Sequence, residues 1–222
     1  SSLVPDSSGN ANNLSVRPNV ATGPAWSELL TNSVAGVNYG RVDHYADFDG
    51  AEDYCFQNPI SASLEPTNAI TIAAWIRPDT LIIDAGKSPV IVRASGNYRL
   101  YFYQGAGSPG LEWYIDSVGT FLNWPTNNFT LGQWVHVAAT YDRTNMVLYV
   151  GGSAVTNVAA STAIGTSASE FDLGVVRSAG TPSAGSFFDG GIDDVRVYNI
   201  PLTAAQILTL KQETEVRDEN GY

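Results

Sequence analysis

Three groups of side chains have the types and spacing to do chemistry. The first lies in residues 98–116. Along Tyr98–Tyr103, the residues Arg99, Tyr101 and Tyr103 alternate with Tyr98, Leu100 and Phe102. Along Leu111–Asp116, the residues Glu112, Tyr114 and Asp116 alternate with Leu111, Trp113 and Ile115. In an extended chain, alternate residues share a face. The more apolar set in each pair is expected in the core, which gathers tyrosines, two acids and one arginine on the opposite face. Flat rings with flanking polar groups are what sugar recognition needs, since apolar C–H faces stack while hydroxyls find donors and acceptors. Trp124, in the turn Asn123-Trp124-Pro125, is expected to add a contact at the rim. A cover by the long segment Arg17–Asp47, or a subunit interface, would use the same tyrosines equally well.

The second group centres on Asp193. By alternation, Asp193, Val195 and Val197 share one face of Gly191–Tyr198, and Ile192, Asp194, Arg196 and Tyr198 the other. An ionised carboxylate in line with two valines is costly unless it is paired, hydrogen-bonded or bound to a metal. No lysine or arginine stands next to it on that stripe. A hard cation with oxygen ligands, Ca²⁺, would remove the cost. Backbone N–H groups would remove it too.

The third group is sparse. His136 alternates with Trp134 and Ala138 and reads as a structural histidine, while His44 stands in a polar stretch between Asp43 and Tyr45. Cys55, the single cysteine, sits between Tyr54 and Phe56 and removes any internal disulfide framework. Its nearby charges are Glu52 and Asp53, which do not favour a thiolate, so it reads as a buried packing residue. Two separate histidines and a shielded thiol are a thin basis for catalysis.

The elements that must position these groups read as strands. Of 222 residues, 44% are hydrophobic, enough for a full core in one domain spanning 1–222. The 21 glycines, 11 prolines, 11 tyrosines and 5 tryptophans mix turn formers with aromatics, as an all-β domain requires. Short β-rich stretches follow one another: Ile70–Arg77, Val90–Arg93, Tyr98–Tyr103, Leu111–Asp116, Trp134–Tyr141, Met146–Val150, Phe171–Val176 and Gly191–Tyr198. Asp142-Arg143-Thr144-Asn145 reads as a tight turn, and Gly151-Gly152 as a second one that uses positive φ. One short helix is expected after Pro201, capped by Thr203 with Gln206 completing a capping box, and packed through Leu202, Ile207 and Leu210. The polar tail Gln212–Tyr222 is expected to be loose or to contact a partner.

Charge narrows the partners. Acids outnumber bases 22 to 11, a net charge of −11, which argues against nucleic acid, whose phosphates require clustered Lys and Arg. No apolar run approaches the roughly 20 residues of a membrane-spanning helix, so no membrane insertion is expected.

The order of these segments resembles the LamG-like jelly-roll domains of the concanavalin A-like lectin/glucanase superfamily. The resemblance starts with Asp6-Ser7-Ser8-Gly9-Asn10-Ala11-Asn12-Asn13, like the family's D-x-SGN-x-N opening, and continues with Phe48-Asp49-Gly50-Ala51-Glu52-Asp53-Tyr54, like its FDG-x-x-DY segment. Ile72–Pro78 and Trp134–Asp142 follow, and the run Phe188–Asn199 with Pro201-Leu202-Thr203 closes it. Each motif is weak alone, and their order is specific. The resemblance implies a two-sheet antiparallel β-sandwich with one concave sheet. It also implies a structural Ca²⁺ with Asp6 and Asp193 as side-chain ligands and Asn10, Asn12 or nearby carbonyls completing the shell. The segment Arg17–Asp47 is longer than the family leads one to expect.

Within that resemblance, enzymatic relatives carry patterns that this sequence lacks. The E-x-D-x-x-E strand of laminarinase-type glycosidases is absent, because Glu112 and Asp116 stand four apart without a third acid. The alginate-lyase strands and a G-x-S-x-G elbow are absent too. The expected function is therefore a non-catalytic module that recognises an extracellular or surface polysaccharide through Arg99, Tyr101, Tyr103, Glu112, Tyr114, Asp116 and Trp124. The alternative is a structural decoration protein of a virion or other surface assembly, a homo-oligomer acting through protein contacts. Both place the protein outside cells or on a surface, whether by secretion or by cytoplasmic synthesis without a signal. Asn13-Leu14-Ser15 and Asn128-Phe129-Thr130 are glycosylation sequons that matter only for secretion from a eukaryote.

Overall fold

A computed structural model of the chain describes residues 3–4, 14–17, 25–28, 44–81, 88–103, 109–166 and 168–220. Its strands, in chain order, are β1 (Leu3–Val4), β2 (Leu14–Arg17), β3 (Ala25–Glu28), β4 (His44–Asp49), β5 (Tyr54–Gln57), β6 (Ile70–Pro78), β7 (Val90–Ala94), β8 (Tyr98–Tyr103) and β9 (Gly110–Ile115). They continue with β10 (Thr120–Pro125), β11 (Val135–Tyr141), β12 (Asn145–Val150), β13 (Ser153–Ala159), β14 (Phe171–Leu173), β15 (Arg177–Ser178), β16 (Thr181–Pro182) and β17 (Asp189–Tyr198), before helix α1 (Ala204–Asn220). One sheet has the order β1-β2-β5-β14-β7-β8-β9-β10 and the other β13-β12-β11-β6-β17-β4-β3, while β15 and β16 form a separate small hairpin. The described pairings are antiparallel. This is the two-layer jelly-roll sandwich.

The core fills from both inner faces. Tyr98, Leu100 and Phe102 of β8 and Leu111, Trp113 and Ile115 of β9 are fully buried, as their alternation predicts. They meet Ile70, Ile72, Ala74 and Ile76 of β6 and Val137, Ala139 and Tyr141 of β11 in one cluster. Burying side chains of this size contributes about 1.5–3 kcal/mol each, so the cluster fixes which face each strand turns inward. Tyr98 keeps its hydroxyl satisfied by donating to the Leu64 carbonyl at 2.8 Å. Cys55 is buried in the same core, where burial pushes its thiol up to about 12.

The turns follow local chemistry. Asp142 Oδ1 accepts the N–H groups of Thr144 and Asn145, both at 2.7 Å, and Arg143 between them takes a φ of +66°. Gly151 and Gly152 close the next hairpin at φ +60° and +82°. At the helix start, the Thr203 N–H donates to Gln206 Oε1 and the Gln206 N–H to Thr203 Oγ1, the predicted capping box. Ile207 and Leu210 pack on Ala73, Ala138 and Tyr149, with Leu202 beside them.

Three expectations change. The helix does not stop before the tail but runs to Asn220, because Lys211, Gln212, Glu213 and the acids and Arg217 beyond are mostly good helix formers. The segment Arg17–Asp47 is partly strand: β3 pairs with β4 at the edge of the seven-stranded sheet, and His44 begins β4. Residues 18–24 and 29–43 lie outside the described set. Trp124 faces the other way from the prediction. It belongs to β10, opposite Leu111, and packs against the core, because β10 continues through Pro125 instead of turning at Asn123.

Candidate functional site

The tyrosine-bearing face is the outer surface of the eight-stranded sheet. Register places Arg99 opposite Tyr114, and Tyr101 opposite Glu112. The Arg99 guanidinium lies over both the Tyr101 ring, at 5.0 Å, and the Tyr114 ring, at 4.6 Å. The Tyr101 and Tyr103 rings meet edge to face at 6.0 Å. Tyr101 is only 7% exposed and donates its hydroxyl to Glu112 Oε2 at 2.7 Å. Asn123 Nδ2 donates to Glu112 Oε1 at 3.1 Å, so both carboxylate oxygens are engaged. Burial raises Glu112 above the usual carboxylate range despite these bonds, and burial with the Glu112 carboxylate raises the Tyr101 phenol.

Arg99, Tyr101 and Tyr103 form one side of a cleft of about 290 Å³. The facing wall is Ser183, Ala184, Gly185 and Ser186, with Val176 and Ser88. Tyr103, at 39% exposure, stands at its mouth. A cleft with aromatic edges, a guanidinium and serines can hold a polar, hydroxylated ring while excluding part of its water. The cover over the tyrosines thus comes from residues 176–186, not from the described parts of Arg17–Asp47.

A buried charge network holds that wall. Arg177, at 2% exposure, lies over the Phe56 ring at 4.1 Å and places Nε 2.6 Å from Asp172 Oδ1. Glu170 pairs with the same guanidinium at 2.7 Å. Arg93 reaches from β7 to Asp172 Oδ2 at 2.9 Å and donates to the Arg177 carbonyl at 2.8 Å. Two cations balance two anions, which is the condition for burying charge at tolerable cost. Backbone bonds from the Ser88 N–H to the Gly185 carbonyl and from the Val90 N–H to the Ser186 carbonyl seat the far end of the wall.

Of the predicted site residues, Arg99, Tyr101 and Tyr103 line the cleft, Tyr114 and Glu112 support it from behind, and Asp116 and Trp124 are not part of it. Asp116 follows β9, exposed, where its N–H is held by the Asn97 carbonyl. Sequence reading missed Phe121, which sits opposite Tyr114 on β10 and is 56% exposed on the same face. The alternation Phe121-Leu122-Asn123-Trp124, with Leu122 and Trp124 inward, carried that signal.

One of the two grounds for the calcium prediction, besides the resemblance, was that Asp193 faces the core, and the structure corrects that premise. Asp193 pairs with Trp75, but Arg196 pairs with Ala73, so one extra residue is accommodated between them. Asp194 absorbs it at φ +45°, a left-handed conformation that Asp tolerates better than most residues. The bulge flips the alternation. Val195 and Val197 remain against the core while Asp193 shares the outer face with Trp75 and His136. Asp193 Oδ1 accepts the Asp194 N–H at 2.6 Å. Asp6, Asn10 and Asn12 lie outside the described residues, among which no cluster of three His, Cys, Asp or Glu side chains is suited to a metal. His136 is buried edge-on to Trp75, as a structural histidine would be.

Comparison with known proteins bears on the fold. The Laminin_G_3 family, described as concanavalin A-like lectin/glucanases superfamily, matches residues 49–208. Domain 4 of AbnA, an extracellular arabinanase from Geobacillus stearothermophilus solved with arabinotriose, superposes with a TM-score of 0.65 at 19% identity, over 93% of this chain and 92% of that one. The binding domain of Paraclostridial Mosquitocidal Protein 1 gives 0.68 at 18% identity, and that of botulinum neurotoxin serotype G gives 0.63 at 15%. Each of these two is covered by 94% of this chain, which spans only 49% and 48% of their lengths. No curated protein matches the sequence. At these identities the likeness to solved structures establishes the fold.

Proposed function

Because the chain belongs to the Laminin_G_3 family of the concanavalin A-like lectin/glucanases superfamily, we propose that it is a non-catalytic carbohydrate-recognition module. The observation that carries this reading is the cleft between Tyr101, Tyr103 and Arg99 and the wall 183–186. It is supported by the arabinanase domain, which has this fold and was solved with an arabinose trisaccharide. A sugar ring enters between the tyrosine edges and the serines, Tyr103 covers an apolar face of it, and Arg99 takes its oxygens. Phe121, beyond Tyr114, offers a second apolar surface for a longer chain.

Hydrolysis of a glycoside requires two carboxylates flanking the bond. Among the described residues, no carboxylate lines the cleft, and Glu112 beneath it is 3% exposed with both oxygens engaged. Recognition without turnover fits this arrangement. An extracellular or surface location fits such a ligand, and no helix among the described residues is long and apolar enough to cross a membrane. The decoration-protein alternative draws no support from the binding domains that share the fold.

Affinity electrophoresis through gels cast with arabinan and a panel of other polysaccharides tests the reading. Wild type is expected to be retarded in at least one gel, and Tyr103→Ala and Tyr114→Ala to migrate freely while melting normally. No retardation anywhere, or retardation indifferent to both substitutions, would overturn it. A calcium joining the amino-terminal loop to Asp193 remains a separate proposal from the family resemblance. A melting midpoint that falls in EDTA supports it, and an unchanged one removes it.

A further inference from the structure

The charge inside the cleft goes beyond sugar binding in general. Arg99 is the one charged residue among the described residues that line it, in a chain whose net charge is −11. The other arginines with buried guanidinium groups have carboxylate partners: Arg77 pairs with Asp47 and Asp79, Arg93 with Asp172, and Arg177 with Asp172 and Glu170. Arg99 differs from them. Among the described residues it forms no ion pair, and its Nε is buried without a hydrogen-bond partner. The nearest acid on that face, Glu112, is taken by Tyr101 and Asn123. What holds Arg99 closest is aromatic: the Tyr101 and Tyr114 rings flank the guanidinium, whose charge also acts on the Tyr101 hydroxyl and on Glu112 beneath it. Rings satisfy the plane of a guanidinium and leave the N–H donors on its edge unused. An edge of that kind matches two oxygens of a carboxylate or sulfate, and a guanidinium already immobilised loses little freedom on binding them.

We propose that the cleft selects an anionic sugar, a uronate or a sulfated residue, whose charged group seats on the edge of Arg99 while Tyr103 covers the ring. The inference rests on the carbohydrate-recognition reading above and specifies its ligand class. At about 290 Å³ the cleft lies at the lower end of ligand pockets, which begin near 300 Å³. It therefore takes one charged residue of a chain, with neighbouring residues running outside it.

The test holds the sugar constant and changes only the charge. Affinity gels are cast with polygalacturonate against its methyl ester, with alginate against its propylene glycol ester, and with dextran sulfate against dextran. The uronate pairs and the sulfate pair distinguish the two anions. Wild type is expected to bind a free acid or sulfate about tenfold more tightly than its neutral counterpart, the scale of one charge-assisted pair. Arg99→Met, which keeps the aliphatic stem, should erase that difference. Arg99→Lys should keep part of it. The wild-type comparison stands even if a variant folds poorly, and near-UV circular dichroism checks each variant. Equal binding of charged and neutral forms, or a preference that survives Arg99→Met, overturns this inference alone provided the neutral gels are retarded in a Tyr103-dependent way. No retardation in any gel overturns the recognition reading and this inference with it.

Discussion

The two outer faces of the sandwich start from the same alternation and reach opposite ends. On the seven-stranded sheet, helix α1 lies through Ile207 and Leu210 on the part of the outer face where Ala73 and Ala138 are small, next to the larger outward residues Trp75 and His136. On the eight-stranded sheet, the outward residues are large and polar: Arg93, Arg99, Tyr101, Glu112 and Tyr114. Among the described residues, no helix lies over them. A hairpin crosses that face instead, clamped by charge rather than by apolar contact. Small outward side chains let an element approach and seal a sheet, whereas large polar ones hold it off and leave a cleft. Side chain size at the outward positions thus separates the patch that the helix seals, at Ala73 and Ala138, from the face that keeps a cleft, at Arg99 and Tyr101.

The largest effect should come from breaking the clamp. Asp172→Ala leaves two guanidinium groups facing a lost carboxylate, and removing one partner of a buried pair costs about 3–5 kcal/mol. Chemical denaturation should show that loss, and retention on a polysaccharide gel should fall with it as the cleft wall detaches. Retained glycan binding would mean that the wall is not needed. On the opposite face, Ile207→Ala should cost about 2–5 kcal/mol by the same assay, as large-to-small core changes do, yet leave glycan retention unchanged at a temperature where the variant is folded. If binding fell as well, the two faces would be coupled and the contrast between them would fail.

Phe121→Ala sharpens the comparison at lower energy. An exposed side chain should leave stability within about 0.5 kcal/mol. It should weaken binding of long oligosaccharides more than of short ones in titration calorimetry. Equal loss for all lengths would place Phe121 inside the primary subsite.

A pH-dependent effect belongs to neither face and supplies a baseline. Burial, helped by the negative Asp49 beside it, pushes Asp53 up to about 7, and its Oδ1 is buried without a hydrogen-bond partner among the described residues. An unperturbed Asp titrates at 3.8, so between these values the folded chain keeps a proton that the unfolded chain has released. That stabilisation is complete below pH 3.8 and is lost as pH rises through about 7. Asp53→Asn should therefore gain on wild type in melting temperature between pH 4 and pH 8. A gap that stays constant across that range would show that Asp53 titrates normally.

Much of the fold was legible because its signals are local or strictly periodic. The inward set of β8 and β9, the Asp142 turn and the Thr203–Gln206 cap each depend on a few neighbouring residues, and all stand where the alternation and turn chemistry put them. Asp193 shows where periodicity fails. A single left-handed Asp194 inverts every face downstream of it, and an aspartate, unlike a glycine, does not advertise that conformation. The cleft was half legible. Its floor follows from strand parity, but its wall depends on Arg177 meeting Asp172 and Arg93, and sequence spacing does not reveal that those three converge. Trp124 was misplaced because Asn123 and Pro125 look like turn residues although β10 runs through them.

Among the described residues, β15 and β16 pair only with each other, and this has a consequence for how such a protein can change. A segment that belongs to neither large sheet can be shortened, extended or rewritten while both ladders stay intact, provided that Gly185 and Ser186 keep their backbone bonds to Ser88 and Val90. As long as an arginine at its base still finds Asp172, a different hairpin would reshape one side of the opening while the aromatic side stayed as it is. A library confined to residues 179–184 would then sample new ligand preferences on an unaltered scaffold, the way exchangeable loops do on other rigid frames.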